Sequence, residues 1–328
     1  MVKRFYVDQY VDRILAGDRV VLSRAITLVE STLPADQELA QSVINRLLPY
    51  TGNSVRLGIT GSPGVGKSTF IEAFGNYLIQ EQQKRIAVLA IDPTSQRTGG
   101  SILGDKTRMS SLATQAAAYI RPSPAGKSLG GVARHTREAM LLCEAAGFEI
   151  IIIETVGVGQ SETAVHSLVD FFLLLLLAGA GDELQGIKKG IVEMADCLAV
   201  TKADGSNLAK AKQTRAEYQQ ALHLFPASVS GWQPSVTICS ALENTGIDHI
   251  WQIMQQYLAL TQQNHYFARQ RQEQNLHWLH QTIRHALEER FYNNKAVQEK
   301  LPLLEKQVAA GAVSPFKAAT DILQIKTV

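Results

Sequence analysis

Gly61, Ser62, Pro63, Gly64, Val65, Gly66, Lys67, Ser68 and Thr69 carry the spacing Gly-x-x-x-x-Gly-Lys-Ser. Glycines so placed let the backbone curl until successive N–H groups face one point, an arrangement suited to phosphate oxygens. A helix starting at the end of such a turn adds a positive terminus for the same anion. The Lys67 ammonium can reach terminal phosphates, and the Ser68 hydroxyl is a hard oxygen donor for a magnesium ion. The chemistry implied is binding of a nucleoside triphosphate.

Other segments carry side chains that complete such a site. Glu154-Thr155-Val156-Gly157 places an acid directly behind an isoleucine run, with a glycine N–H available to a terminal phosphate. Asp92, in Asp92-Pro93-Thr94-Ser95, either holds magnesium or caps the following turn, and its type alone leaves both open. Asp105, in Gly104-Asp105-Lys106, reads by itself as a solvated loop charge. Lys188 belongs to the polar run Asp182 to Gly190, which reads as a loop opening the next helix. Thr201-Lys202-Ala203-Asp204 addresses the base. Asp204 can accept from the N1–H and exocyclic amine of guanine, a pair adenine does not offer, while the Lys202 stem covers the ring. Asn is the usual first residue of that motif; Thr201 in its place predicts a weaker tie to the phosphate loop. Ser240-Ala241-Leu242 supplies a second turn whose N–H groups can meet the guanine oxygen.

The elements that must position these residues follow from periodicity. Val55 to Thr60, Arg85 to Ile91, Glu149 to Ile153, the run from Phe171, Cys197 to Thr201 and Val236 to Cys239 read as strands, with helical patterns between most of them. That alternation predicts an α/β fold, a P-loop domain with a mostly parallel sheet flanked by helices. Most of the motifs stand just after a strand, so they should meet beyond the carboxyl ends of the sheet. The segment from Asp92 to Gly131 is poor in strand signals and rich in glycine, the expected place for a loop ordered by the terminal phosphate. The domain plan is a helical extension over 1–50, the nucleotide-binding domain over 51–262 and a helical arm over 263–328. In the arm, Leu276, Leu279, Ile283, Leu287 and Phe291 form one apolar stripe, suited to burial against a second copy in a homodimer.

Composition narrows the class. A net charge of +2 over 328 residues gives no argument for a nucleic-acid partner. Cys143, Cys197 and Cys239 are scattered in apolar surroundings, as small buried hydrophobes of a reducing compartment are. The Phe171 to Ala180 run is shorter than the ~20 residues that cross a bilayer, and a central parallel strand gives the same apolarity. The start lacks the long apolar stretch of a secretion signal, so the expectation is a cytoplasmic protein without a membrane partner.

Taken in order over 55–245, these blocks resemble the MeaB/ArgK family of GTPases, in the SIMIBI branch of phosphate-loop proteins. The stretches Gly99-Gly100-Ser101-Ile102-Leu103-Gly104-Asp105-Lys106-Thr107-Arg108-Met109, Glu154 to Glu162 and Gly181 to Gly190 carry the likeness beyond the phosphate loop itself. The resemblance implies a homodimeric GTPase that binds GTP or GDP with Mg2+ and serves as chaperone to an adenosylcobalamin-dependent mutase, typically methylmalonyl-CoA mutase. It implies that Ser68, Asp92, Asp105 and Glu154 gather round the metal and that Lys188 acts in a loop that responds to the mutase. Val158 follows Gly157 where Ras-like enzymes keep a water-orienting glutamine, which predicts slow intrinsic hydrolysis unless Gln160, a partner or another loop intervenes. The unassisted Ras reaction runs on the order of 10⁻⁴ per second. Two other readings compete. A kinase of a basic-amino-acid transport system needs an acceptor base, for which no extra acid is placed. A metal-insertion GTPase tends to carry His- or Cys-rich tracts, whereas the eight histidines here are dispersed.

Overall fold

The computed structural model describes residues 5–91, 109–123, 129–155, 161–179, 189–226 and 228–325. By chain contacts it divides into Met1–Gln274 and Asn275–Val328.

The first unit is built on a seven-stranded parallel sheet. Its strands are β1 (Val55–Gly61), β2 (Ile86–Ile91), β3 (Ala118–Ser123), β4 (Ile150–Thr155), β5 (Phe171–Leu177), β6 (Cys197–Thr201) and β7 (Ser235–Ile238). They lie in the order β3-β2-β4-β1-β5-β6-β7. The chain leaves β1 to one side and, after β4, crosses to the other, so the carboxyl end of β1 marks the switch point where such sheets take ligands. β4 and β5 are apolar on both faces because each is interior to the sheet and covered above and below. Phe171 to Leu176 are each at most 2% exposed. At about 1.5–3 kcal/mol per fully buried large apolar side chain, this strand is a main source of the fold's stability. Among the described residues no helix is long and apolar enough to cross a membrane.

At the amino end, α1 (Val7–Leu15), α2 (Arg19–Val29) and α3 (Pro34–Leu47) form a layer of helices. Asp18 caps α2, accepting from the Val20 and Val21 N–H groups. α2 also explains β3, a strand absent from the sequence expectation for the Asp92–Gly131 segment. Ala118-Tyr-Ile-Arg-Pro-Ser breaks the apolar pattern with Arg121 and Pro122, tolerable because β3 is the sheet edge. Its polar groups are met by α2. Arg19 donates to the Ala118 carbonyl at 2.5 Å, Ser23 and Tyr119 share a hydroxyl contact at 3.0 Å, and Arg121 pairs with Glu30. An edge so covered no longer templates pairing with another chain.

The helices that follow are α4 (Lys67–Gln80), α5 (Ser110–Thr114), α6 (Leu129–Ala145), α7 (Ser161–His166), α8 (Lys189–Met194), α9 (Leu208–Leu222) and α10 (Ile247–Gln263). Phe70, Ile71, Phe74 and Leu78 of α4 and Ile250, Trp251, Met254 and Tyr257 of α10 bury their stripes in one cluster with β1, β4 and β5. At the opposite end of the strands from the switch point, buried charges fasten the central part of the sheet. Glu144 of α6 takes the Arg56 Nε at 2.7 Å and the Gly52 N–H at 2.8 Å. Asp170 accepts from the Arg56 N–H at 2.8 Å and, bidentately, from Arg271 at 2.8 and 2.7 Å. Arg271 lies early in α11 (Tyr266–Tyr292) and also donates to the Gly52 and Ser54 carbonyls at 2.5 and 2.6 Å. Cys143, Cys197 and Cys239 are buried free thiols, and burial raises all three, Cys239 to about 12.

The second unit has its own small core, formed by Val297 and Leu304 of α12 (Lys295–Ala309) with Ala318 and Ile322 of α13 (Pro315–Leu323). Phe291 packs against it, whereas Leu276, Leu279, Ile283 and Leu287 are 46–60% exposed.

Candidate nucleotide site

The loop after β1 adopts backbone angles that need glycine where the motif provides it. Gly61 has φ +153°, and a Cβ there would come within 2.6 Å of the Leu175 carbonyl oxygen of β5. Gly64 and Gly66 sit at φ +81° and +93°, in the left-handed region that side chains disfavour. Val65 points inward and is fully buried, anchoring the middle of the loop. Lys67, the first residue of α4, is itself buried. Its Nζ donates to the Gly61 carbonyl at 2.7 Å and the Ser62 carbonyl at 3.2 Å, which holds the ammonium over the loop.

Register brings the acid to this loop. Glu154 stands opposite Ile59 in the β1–β4 ladder, two residues before Gly61 opens the loop. It is 4% exposed, and its Oε1 accepts from the Ser68 hydroxyl at 3.3 Å. Beside it the Thr155 hydroxyl donates to that of Thr60 at 2.9 Å, locking the two strand ends. A hydroxyl and a carboxylate this close are hard oxygen donors, and neighbouring ligands of an octahedral magnesium ion stand about 3 Å apart. Ser68 and Glu154 therefore fit a shared magnesium ion. Among the described residues there is no group of three or more His, Cys, Asp or Glu able to hold a metal. Asp92 and Asp105, named with them from the sequence, lie outside the described residues, as do Gly157 and Lys188.

Across the loop, a cavity of about 200 Å³ opens between the ends of β6 and β7 and the start of α4. Val65, Gly66, Thr69, Phe70, Thr201, Lys202, Asp204, Asn207, Cys239, Ala241 and Leu242 line it, so apolar walls surround one carboxylate. Asp204 Oδ2 accepts from the Ser240 hydroxyl at 2.5 Å. The Glu243 N–H in turn donates to Ser240 Oγ at 3.1 Å, which leaves the hydroxyl proton for Asp204. The Ser240–Thr245 bridge closes this turn. Lys202, at φ +54°, extends along the loop and donates from Nζ to the Gly64 carbonyl at 2.9 Å. Thr201, expected to weaken the loop's fastening, is buried and donates from its hydroxyl towards the Val65 carbonyl at 2.7 Å and the Leu176 carbonyl at 3.1 Å.

Gly61 to Thr69, Glu154, Lys202, Asp204, Ser240, Ala241 and Leu242 are thus brought to one end of the sheet. The glycine loop and the Ser68–Glu154 pair stand at one side, and the cavity that carries the Asp204 carboxylate stands at the other. The sequence profile described as "Methylmalonyl Co-A mutase-associated GTPase MeaB" matches residues 22–296. The chain belongs to the MeaB family.

Membership makes this MeaB-family chain a GTP-hydrolysing enzyme of the phosphate-loop class. A "Putative GTPase" of Caulobacter vibrioides is 50% identical, with 98% of each chain covered. "GTPase ArgK" of Escherichia coli is 48% identical over 89% of this chain and 88% of its own. The mouse "Methylmalonic aciduria type A homolog, mitochondrial" is 44% identical over 97% of this chain and 79% of the mouse protein. A solved structure described as "LAO/AO transport system kinase" superposes with a TM-score of 0.78, at 36% identity, covering 99% of this chain and 98% of that one. Sequence reasoning did not single out Asn207 or Phe70 as lining the MeaB slot. Phe70 reads as one more member of an apolar helix stripe, and Asn207 becomes relevant only once the turn after Asp204 folds over the cavity.

Proposed function

We propose that this MeaB-family GTPase binds GTP with Mg2+ across the slot described above and works as chaperone to an adenosylcobalamin-dependent mutase of the methylmalonyl-CoA type. In this role it gates cofactor loading and protects the mutase from inactivation. The observation that carries the nucleotide assignment is the convergence of the glycine loop, Ser68–Glu154 and Asp204–Ser240 on one end of the sheet. The loop amides bind the phosphates, Lys67 offsets their charge, and the Lys202 stem covers one face of the base. Asp204 selects guanine, and the Ala241 and Leu242 turn closes the far side. Ser68 and Glu154 hold magnesium, joined by Asp92 and Asp105. When bound, the ion neutralises charge building on the β- and γ-phosphates. Gly157 offers its N–H to the terminal phosphate, and Lys188 acts in the segment that answers the mutase. The family's printed description supports the mutase as partner.

The proposal extends to a cytoplasmic homodimer in which the 263–328 arm buries the Leu276, Leu279, Ile283 and Leu287 stripe against a second copy. That exposed row supports it. The test is hydrolysis of GTP and ATP by the purified protein, with and without methylmalonyl-CoA mutase from the same cell. Slow GTP turnover that the mutase accelerates is the expected result. Preference for ATP, or labelled phosphate appearing on a protein and not in water, overturns it. Equilibrium sedimentation that finds only monomer at micromolar concentration removes the dimer.

A further inference from the structure

We infer that Glu72 is a positioning residue for the magnesium-bound nucleotide, acting as a helix cap supplied from a distance that ties α5 to the phosphate-loop helix. This role rests on the proposed GTP and magnesium reading and deepens it, by giving a task to a side chain outside the site described above. α5 begins poorly by its own sequence. Its N-cap is Met109, whose thioether offers the first-turn N–H groups no strong acceptor. The Glu72 carboxylate of α4 fills that gap, accepting from the Ser111 N–H at 2.8 Å. Negative charge at a helix N-terminus is favourable in itself. One turn further along α4, Asn76 donates from Nδ2 to the Ser111 hydroxyl at 3.3 Å. Beneath these polar contacts Met109 and Leu112 are fully buried, in the cluster that holds Phe70 and Phe74. Gly75 permits the close approach, since a Cβ there would come within 2.8 Å of the Leu112 side chain.

Ser68, Glu72 and Asn76 follow one another at intervals of four, so they share one face of α4. The first offers its hydroxyl to Glu154, where magnesium is proposed to sit, and the next two hold α5. The chain that enters α5 includes Asp105, proposed above as a further magnesium ligand and lying outside the described residues. Asp105 precedes Ser111 by six positions. Six residues span at most about 20 Å and one turn of α4 rises about 5.4 Å, so a chain held at Glu72 is within reach of Ser68. Fixing Ser111 on α4 limits the space open to Asp105 and raises its effective concentration at the metal. The Glu72 contact is exposed, and water competes for it. Its effect is therefore moderate and falls on metal affinity, not on the fold.

The experiment titrates Mg2+ into the full chain loaded with a β,γ-imido analogue of GTP, by calorimetry, with thermal melts as a check on folding. Glu72→Met keeps the length of the side chain and removes the acceptor. It is expected to weaken Mg2+ binding about fivefold. Its affinity for the analogue in EDTA should match the parent, because the loop and the base slot are untouched. Glu72→Gln keeps a carbonyl acceptor for the Ser111 N–H and should stay within about twofold of the parent. In an Asp105→Asn chain, itself weaker for Mg2+, adding Glu72→Met should bring no further loss. Parent-like Mg2+ binding by a folded Glu72→Met protein overturns the inference. So does an equal loss in Glu72→Gln, which makes the charge and not the tether the cause, and so does a full additional loss in the Asp105→Asn background. Should Glu72→Met not fold, Glu72→Ala is read in the same way. An Asp105→Asn chain with the parent's Mg2+ affinity refutes the magnesium role of Asp105 and takes the tether with it. A parent chain that does not bind the analogue refutes the GTP reading, an outcome distinct from any failure of the Glu72 variants.

Discussion

Replacing Asp204 by asparagine tests the base slot most directly. The carboxylate accepts the Ser240 hydroxyl proton on Oδ2 at 2.5 Å, and the proton's direction is set by the Glu243 N–H behind it. A carboxylate still has lone pairs for the two donors of guanine after taking that bond. An asparagine does not: its single oxygen has two acceptor sites, Ser240 uses one, and the amide nitrogen turns a donor towards a donor of the base. Asp204→Asn therefore removes at least one charge-assisted bond, worth about 1.5–3 kcal/mol, and leaves a second donor unpaired at comparable cost. A total of about 3 kcal/mol or more corresponds to a loss exceeding about a hundredfold in affinity for GDP. Xanthine carries a carbonyl where guanine has its amine, so the same change should improve XDP binding. Calorimetry with GDP, XDP and ADP on the parent and the variant measures both effects. An Asp204→Asn protein that melts normally and binds GDP within about threefold of the parent refutes Asp204 as base reader.

Three further outcomes follow from the geometry. Gly61→Ala should abolish measurable GTP binding, because the new Cβ meets the Leu175 backbone oxygen at 2.6 Å and only a shift of the loop relieves it; GTP titration by calorimetry reads the loss. Glu144→Ala strands Arg56, whose side chain is 6% exposed, and should lower unfolding stability by about 3–5 kcal/mol, seen as a lower urea midpoint at unchanged m-value. Asp196→Asn should change the pH dependence of stability. Burial, with a further push from Asp170, raises the Asp196 carboxyl to about 7 against the lowering bond from the Phe172 N–H. Between its ordinary value near 3.8 and 7 the folded chain holds the proton more tightly than the unfolded one, so this group's contribution falls as pH rises through that window. The melting temperature of Asp196→Asn should gain on the parent from pH 5 to pH 7 and run parallel above; a constant difference across that range refutes the assignment.

What was legible in the sequence was whatever rests on local spacing. The phosphate loop can be read because its glycines, lysine and serine do their work within nine residues, between a strand and a helix whose own patterns are strong. The central strands were equally plain, since burial on both faces leaves an unbroken apolar run such as Phe171 to Leu177. β3 was not, because its stability comes from α2, roughly a hundred residues earlier, whose Arg19, Ser23 and Glu30 satisfy polar groups that argue against a strand when read alone. The Asp170–Arg271 pair escaped for the same reason: 101 residues separate two charges that nothing local connects.

Thr201 shows where motif reading and physics part. By side-chain type, threonine is the poorer clasp than the usual asparagine, lacking an amide and one bond of reach. The distance that matters is set by strand placement, though, and β5 lies between β1 and β6 with its Leu176 carbonyl beside the hydroxyl. A shorter donor suffices when the acceptor stands 2.7 Å away, and burial of Thr201 protects the bond from water. The grip from Lys202 to Gly64 then falls on the next carbonyl without any further adjustment of the backbone. The glycine loop and the segment that carries Asp204 are in this way joined at two neighbouring carbonyls, one bond buried and one exposed.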